Sequence, residues 1–421
     1  MKIGTFDIET NGLLPYVTEV WCGVVKDHSS GHIKAFDPGG IGRLLHYLDT
    51  FDCLVGHNCV GFDFPVLKKI FNYEYQGQVV DTLLMSRLQR PNRSKPKGYE
   101  GKSPHSVEAW GYRLGLAKQE HNEWDVYSPE MLERCKQDVK IQYTIHKALL
   151  QEGLDMGWEN AHRLNVKIFT HLHVQEERGW KIDVPYLERN ISTLERWIAR
   201  IDRALVPHLP LIVDKKEKKD VNSFTFVKKP FKKNGEYSKI VNDYFIDDPY
   251  RDSVCGPFSR IDIRSTQLDS IVEVKQFLLD EGWKPEKWNE KDGIRTSPNL
   301  SKDDAFIGIR SMLGTLVSRR ITCRQRKSVL EGWRSNIRND GRLAGRVSGI
   351  ATTGRLRHSL IVNVPSPATK SFFAKQMRKC FIASEGMVMV GADSKGNQMR
   401  QMAARMKDDE FTEAVLHGTQ E

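Results

Sequence analysis

A chain of 421 residues, 39% hydrophobic and 28% charged, with a formal charge of +10, is long enough for two or three cores, and its basic balance points to an anionic polymer as partner. Seven scattered cysteines, odd in number and without a C-x-x-C pair, exclude a disulfide framework and a zinc site and fit a reducing cytosol. The N-terminus has no basic segment leading into an apolar core, and no apolar run approaches bilayer length. The expectation is a soluble cytoplasmic protein with no membrane partner.

From Lys2 to about Gln151, short apolar runs (Trp21 to Val25, Cys53 to Val55) alternate with helix-like stretches such as Arg43 to Leu48 and Met131 to Leu150. This is an α/β pattern. Glycines around Gly153 to Gly157 mark a first boundary, and a helix is expected from Ala161 to Glu177. After Pro185, apolar residues at Leu187, Ile191, Leu194, Ile198, Ile201 and Leu205 alternate steps of four and three, the pattern of a long amphipathic helix with one buried stripe. Between Pro207 and Pro257 the composition shifts to lysine clusters, Lys215, Lys216, Lys218 and Lys219, then Lys228, Lys229, Lys232 and Lys233. That segment reads as an exposed, mostly extended basic excursion. Helices are expected again over Ser265 to Glu281 and Asp303 to Trp333, the latter carrying Arg319, Arg320, Arg324, Arg326 and Lys327. From Arg342 onward strands and turns follow, ending in a strand Met387 to Val390 and a helix Asn397 to Met406.

Chemistry gathers first around Phe6-Asp7-Ile8-Glu9-Thr10. Met1 to Ile8 reads as a strand, and period-two alternation puts Asp7 and Glu9 on one face, where both can ligate a divalent metal. His57-Asn58-Cys59-Val60-Gly61-Phe62-Asp63 reads as a strand end running into a helix, and Asp138 lies on the helix Met131 to Leu150. Taken alone, Asp63 before Pro65 reads as a helix cap. As an ordered set, Asp7, Glu9, Asp63 and Asp138 suit phosphodiester hydrolysis, which uses two Mg2+ ions roughly 3.5 to 4 Å apart held by carboxylates from separate elements. Mn2+ is an alternative.

In this order the motifs resemble the DEDD 3′-to-5′ proofreading exonuclease domain of family A (DNA polymerase I-like) DNA polymerases. Ser106-Val107-Glu108-Ala109-Trp110-Gly111-Tyr112-Arg113-Leu114-Gly115, with Asp81-Thr82-Leu83 upstream, resembles the compact bacteriophage replicases of that family more narrowly. The resemblance implies that Asp7, Glu9, Asp63 and Asp138 are metal-binding catalytic carboxylates, with Asn58 and Asp81 in the surrounding motif but without a ligand role. One position departs from it. Many members carry a tyrosine four residues before the last aspartate to orient the attacking water, and here that position is Arg134. Arginine cannot accept a proton from that water, but its guanidinium can hold the scissile phosphate, so altered rate or pH dependence is expected.

The same family's palm is resembled by Thr353-Gly354-Arg355, His358, Asn363, Arg378-Lys379-Cys380-Phe381 and Asp393, in that order within Gly345 to Arg400. Arg355 and Arg357 offer planar forks to phosphates or minor-groove acceptors, and the glycines permit close backbone approach. By the resemblance Arg346, Thr353, Gly354, Arg355, Arg357, His358 and Asn363 contact DNA, and Asp393 is the motif A carboxylate, a catalytic metal ligand. Gln398 stands where the family usually has a nucleotide-contacting glutamate, and Val364-Pro365-Ser366-Pro367 lacks the glutamine often found there. The family's fingers helix and second palm aspartate do not fit in the residues after Asp393, so this polypeptide alone is not expected to polymerise. It would be a split replicase's first subunit completed by a separate C-terminal polypeptide, the product of a gene interrupted by an intron or intein, or a truncated product.

The resemblance thus implies an α/β, RNase H-like exonuclease domain (a mixed sheet flanked by helices) over 1–155, a connecting helix over 156–185, an α-rich thumb over 186–335 with a basic insertion at about 207–257, and an incomplete α+β palm over 336–421. The implied role is the N-terminal part of a phage replicative DNA polymerase in an infected bacterial host, binding primer-template and single-stranded DNA. Some phage relatives recruit thioredoxin as a processivity factor through a thumb insertion, but no residue pattern in the shorter 207–257 segment specifies one. A free-standing DEDD exonuclease with a DNA-binding extension and a noncatalytic DNA-binding fragment are the alternatives.

Overall fold

The computed structural model describes the chain except residues 15, 117–122, 155, 215–225, 247–248, 261, 292, 301–302, 363, 370, 394 and 419–421. It divides into two units: Met1–Asp183 with Ile337–Val362 and Phe381–Glu421, and Val184–Asn336 with Asn363–Cys380.

The first unit is built on a five-stranded mixed sheet in the order β3-β2-β1-β4-β5. Strands β1 (Ile3–Thr10), β2 (Val20–Asp27) and β3 (Ile33–Phe36) form an antiparallel meander, while β4 (Cys53–Gly56) and β5 (Gln78–Asp81) run parallel to β1. The parallel half needs crossovers, and α1 (Ile41–Leu48) and α2 (Asp63–Phe71) supply them. Phe6, Ile8, Leu44, Leu48, Leu54 and Leu67 form the core between sheet and helices. Each such side chain contributes about 1.5–3 kcal/mol on burial.

Helix α3 (Thr82–Gln89) is followed by α4 (Val107–Leu114), which begins at the Ser106 cap and ends at Gly115 in the left-handed region. Helix α5 (Pro129–Glu152) starts where Ser128 accepts from the Met131 amide with Pro129 in the first turn. It packs on β1 and β2, burying Met131, Cys135 and Val139 against Cys22 and Val24. Helix α6 (Glu159–Arg178) leads to the short β6 (Trp180–Lys181).

The second unit opens with α7 (Val184–Leu205), where Leu187, Ile191, Leu194, Ile201 and Leu205 of the expected stripe are buried and Ile198 is half-buried. The 207–257 region holds short structure: β7 (Leu211–Asp214), β8 (Phe226–Val227) and α8 (Lys239–Tyr244). Then come β9 (Phe258–Ser259), pairing β8, and β10 (Asp262–Ser265), pairing β7. Lys215, Lys216, Lys218 and Lys219 lie outside the described residues; Lys228, Lys229, Lys232 and Lys233 are exposed. Ser265 closes a strand instead of opening a helix, because the Ser270 side chain caps α9 (Ile271–Asp280) at the Glu273 amide. Strands β11 (Trp288–Lys291) and β12 (Ile294–Pro298) form a hairpin, and α10 (Met312–Arg334) starts at the Ser311 cap and packs along α7.

The basic group on α10 is tied into this unit. Arg320 is buried, its Nε donating to Asp202 Oδ1 at 2.5 Å, Nη1 to the Leu268 carbonyl at 2.6 Å and Nη2 to Asp269 Oδ1 at 2.8 Å. Arg324 pairs with Asp269, Lys327 with Glu195 and Glu331, Arg326 donates to Ser371, and Arg319 lies 4.3 Å over the Phe372 ring. Facing acids, the Ser371 hydroxyl and the Phe372 ring thus hold this group within the unit.

Returning to the first unit, β13 (Arg342–Leu343) pairs β6, and β14 (Arg346–Ile350) and β15 (Leu356–Ser359) form a hairpin. Helix α11 (Ala374–Lys379) belongs to the second unit, and α12 (Asn397–Met406) and α13 (Asp409–His417) end the described chain in the first. The expected strand Met387 to Val390 is not formed: these residues pair with no strand, and Val388 and Val390 are 84% and 80% exposed. An apolar run becomes a strand only where another edge offers its backbone groups.

Candidate active site

Strand β1 delivers Asp7 and Glu9 to one face, both half-buried beside fully covered Phe6 and Ile8. Asp63 is the first residue of α2 and is buried. It is not the cap, since that position is Phe62 and makes no side-chain capping bond. Asp138 is buried on α5. Three elements of separate sequence origin therefore bring four carboxylates close enough to act on one another, while among the described residues the ligand atoms that lie within 4.8 Å of one another belong to Asp7, Glu9 and Cys135. Burial raises Asp7 well above the usual carboxylate range, and Asp63, Glu9 and Asp138 raise it further. Asp63 is pushed up to about 7, mainly by burial, with Asp81 and Glu9 adding to it and the backbone amides of Asp63 and Ile8 opposing.

Such a donor set fits a hard divalent cation, which would relieve the repulsion that raises Asp7. Cys135 also reaches the cluster, its Sγ 3.5 Å from the Asp7 carbonyl and 3.9 Å from Asp7 Oδ2. Burial and the neighbouring Cys22 and Asp7 hold this thiol well above its usual range, so it remains a neutral packing group and a poor ligand for Mg2+.

Two neighbours invisible as site residues in the sequence shape the cluster. Gln142 Nε2 donates to Asp7 Oδ1 at 2.9 Å and lowers Asp7 against the neighbouring carboxylates. It lies four residues beyond Asp138, hence on the same face of α5, and a helical period read forward from Asp138 would have found it. Asp81 holds the loop that leads to Asp63. Its Oδ1 accepts from the amides of Asn58 at 3.0 Å, Leu83 at 2.9 Å and Leu84 at 3.2 Å, and its Oδ2 from Val60 at 3.1 Å. Asp81 thus caps α3 and pins Asn58–Val60, with Asn58 itself in the left-handed region at φ 65°.

Arg134 sits one turn before Asp138, its Nε 3.8 Å from Asp138 Oδ2 and its guanidinium 4.4 Å over the Trp124 ring. Its Nε and Nη1 are buried without a hydrogen-bond partner among the described residues.

The palm candidates separate into two groups. Thr353, Gly354 and Arg355 form the exposed turn of the β14–β15 hairpin, where Gly354 adopts φ 76° and the Ala351 amide donates to the Arg355 carbonyl at 2.7 Å. Arg357 and His358 are exposed on β15, opposite Gly349 and Val347. Arg346 on β14 pairs with Glu176 at 3.1 Å. Asp393 is exposed in an irregular segment, and Gln398 is exposed in the first turn of α12. Asn363 lies outside the described residues.

No family model matches the chain. It is 25% identical to the DNA-directed DNA polymerase of Enterobacteria phage T3 and 24% identical to that of Escherichia phage T7, in each case over 98% of this chain and 71% of the relative. The chain is a homologue of these phage DNA-directed DNA polymerases. Each alignment runs over 507 positions, more than the 421 residues here, so the phage polymerases carry segments without a counterpart. Among solved structures, the POL domain of Pol1 from M. smegmatis, in complex with DNA primer-template and dNTP, superposes with a TM-score of 0.65 at 16% identity. The match covers 98% of this chain and 61% of that one, so the chain spans less than two thirds of that polymerase domain. At this identity the likeness establishes a polymerase-like fold. No helix among the described residues is long and apolar enough to cross a membrane.

Proposed function

We propose that the first unit carries a divalent-metal-dependent 3′-to-5′ proofreading exonuclease in the N-terminal part of a phage replicative DNA polymerase. The observation that carries this reading is the convergence of Asp7, Glu9, Asp63 and Asp138, whose repulsion raises Asp7. These four carboxylates would hold two Mg2+ ions. Bound there, the metals would supply hydroxide at neutral pH and steady the leaving oxygen. The chain's own residues do the positioning: Gln142 orients Asp7, Asp81 fixes the loop before Asp63, and Arg134, ion-paired through Nε with Asp138, offers its Nη1, buried without a hydrogen-bond partner among the described residues, to the scissile phosphate. Without a tyrosine at position 134, no side chain there accepts a proton from the attacking water.

Primer-template binding is assigned to the hairpin residues Arg355, Arg357 and His358, and a metal-ligand role in synthesis to Asp393. Nucleotide addition, in the cytoplasm of an infected host, would draw on Asp393. The layout of exonuclease, thumb and palm is part of the same proposal.

A second reading, a noncatalytic DNA-binding chain, draws on the Arg134–Asp138 ion pair, which neutralises one would-be ligand. Titration with Mn2+ followed by its electron paramagnetic resonance separates the two. The exonuclease reading expects bound metal and hydrolysis of single-stranded DNA in the wild type, with both lost in Asp7→Ala. Wild-type protein that binds DNA but neither metal nor shortens the strand would favour the second.

A further inference from the structure

We propose that a cavity between α3, the 102–105 segment and the β14–β15 hairpin binds one backbone phosphate of a DNA single strand, an inference that rests on the DNA-handling role proposed above. The cavity lies within the first unit, measures about 250 Å3 and is lined by Arg87, Lys102, His105, Ser348, Gly349 and Arg357 among others, with no carboxylate. Small-molecule sites run to roughly 300–1,000 Å3, so this one suits a phosphate better than a whole nucleotide.

Two arginines meet there because of a glycine. Gly349 stands opposite Arg357 in the hairpin register, and Arg87 lies against it so closely that a Cβ at 349 would come within 3.3 Å of Arg87 Nη1. Gly349 also adopts φ 145°, which side chains disfavour. The charged groups of Arg87, Arg357 and Lys102 have no ion pair or side-chain hydrogen bond among the described residues; the Arg357 carbonyl accepts from the Ser348 hydroxyl. Burial lowers the Arg87 pKa, Asp81 opposes this, and Arg357 lowers it further, the signature of two like charges facing one another. Asp81 is the acid that reaches Arg87, and its oxygens are occupied by four backbone amides.

The other cations nearby are satisfied. Arg93 donates to both carboxylate oxygens of Glu152 at 3.0 Å, and Arg113 donates to the carbonyls of Pro104 and Ser94. His105 is neutral, pushed down to about 4 by burial and by Arg87, Arg93 and Arg113. Its Nδ1 accepts from the Ser86 hydroxyl, which in turn accepts from Trp110 Nε1. The unmet charge in the cavity therefore belongs to Arg87, Lys102 and Arg357, and an anion is the missing partner.

Direction comes from a neighbouring cavity. Arg87 and Ser348 also line a space of about 470 Å3 that reaches Asn58, Val60 and Gly61, the loop immediately before Asp63. A strand entering the nuclease cluster would pass Arg87 with its backbone anions.

The test is fluorescence anisotropy of a labelled oligothymidylate in EDTA, with affinity measured across a salt series. Arg357 and Lys102 are exposed, so Arg357→Gln and Lys102→Gln should retain the wild-type melting temperature. Each is expected to flatten the slope of log affinity against log salt by about 0.7, the loss of one phosphate contact on a single strand. Arg43→Gln, on the exposed face of α1, should leave it unchanged. Slopes in Arg357→Gln and Lys102→Gln equal to that of Arg43→Gln, or no wild-type binding, would overturn the proposal. So would inorganic phosphate raising the melting temperature of wild type but not of Arg357→Gln while strand binding is unaffected, which would reassign the cavity to free phosphate. Failure of the exonuclease reading shows separately, as absent metal-dependent trimming with the slopes intact.

Discussion

Asp81→Ala is the perturbation that bears most directly on how the site is held. The carboxylate is buried and accepts four backbone N–H bonds, two at the start of α3 and two in the loop before Asp63. Truncation removes the α3 cap, worth about 1 kcal/mol, and leaves the Asn58 and Val60 amides without their acceptor at about 1–3 kcal/mol each. Relaxation and water entry recover part of this, so a loss of about 3–5 kcal/mol is expected. With two structural units a single unfolding free energy is ill-defined. Hydrogen exchange of the Asn58, Val60, Leu83 and Leu84 amides reads the effect locally. Their protection should fall by about two to four orders of magnitude, with nuclease activity falling as Asp63 loses its support. Unchanged protection at all four amides would refute the reasoning that Asp81 organises the loop.

Arg134→Tyr should raise the nuclease rate and move its pH profile, because a phenol can orient the attacking water where a guanidinium cannot; an unchanged profile would remove Arg134 from the site's chemistry. Metal binding should release protons. Asp63 keeps its proton to about pH 7 and Asp7 is raised, so metal-free folded protein holds more protons than the unfolded chain, and the stability this gives is lost as pH rises through the folded pKa. Mg2+ affinity should therefore climb by about tenfold per pH unit for the proton displaced from Asp63 up to about pH 7, as checked by calorimetry in buffers of different ionisation heat. Gln142→Leu removes the hydrogen bond that lowers Asp7, an interaction of about 1.5–3 kcal/mol for a charged acceptor. Its kcat/KM should drop more at pH 6 than at pH 8, and an equal drop at both would mean that Gln142 only packs.

The alternation around Asp7 and Glu9 was legible because a strand has one period and both residues obey it. The helix that carries Asp138 and the amphipathic stripe on Val184–Leu205 were legible for the same reason. Asp81 was not, since its function depends on amides more than twenty residues upstream whose positions only the β4–β5 pairing fixes. The partners of Arg320 and Arg326 were not legible, because charge content says nothing about which groups face a helix. Met387 to Val390 has the composition of a strand, but composition cannot supply a neighbouring edge. Gly349 gave no signal in the sequence, because the close approach of Arg87 that requires it joins segments about 260 residues apart.

A 5′-labelled primer with a mismatched 3′ end, annealed to template and resolved on a gel after incubation with the purified chain and Mg2+, tests the central claim. The proofreading assignment predicts stepwise shortening from the mismatched end in the wild type, none in EDTA and none in Asp7→Ala. A primer of unchanged length with Mg2+ present, in a protein that still binds the duplex, would contradict it.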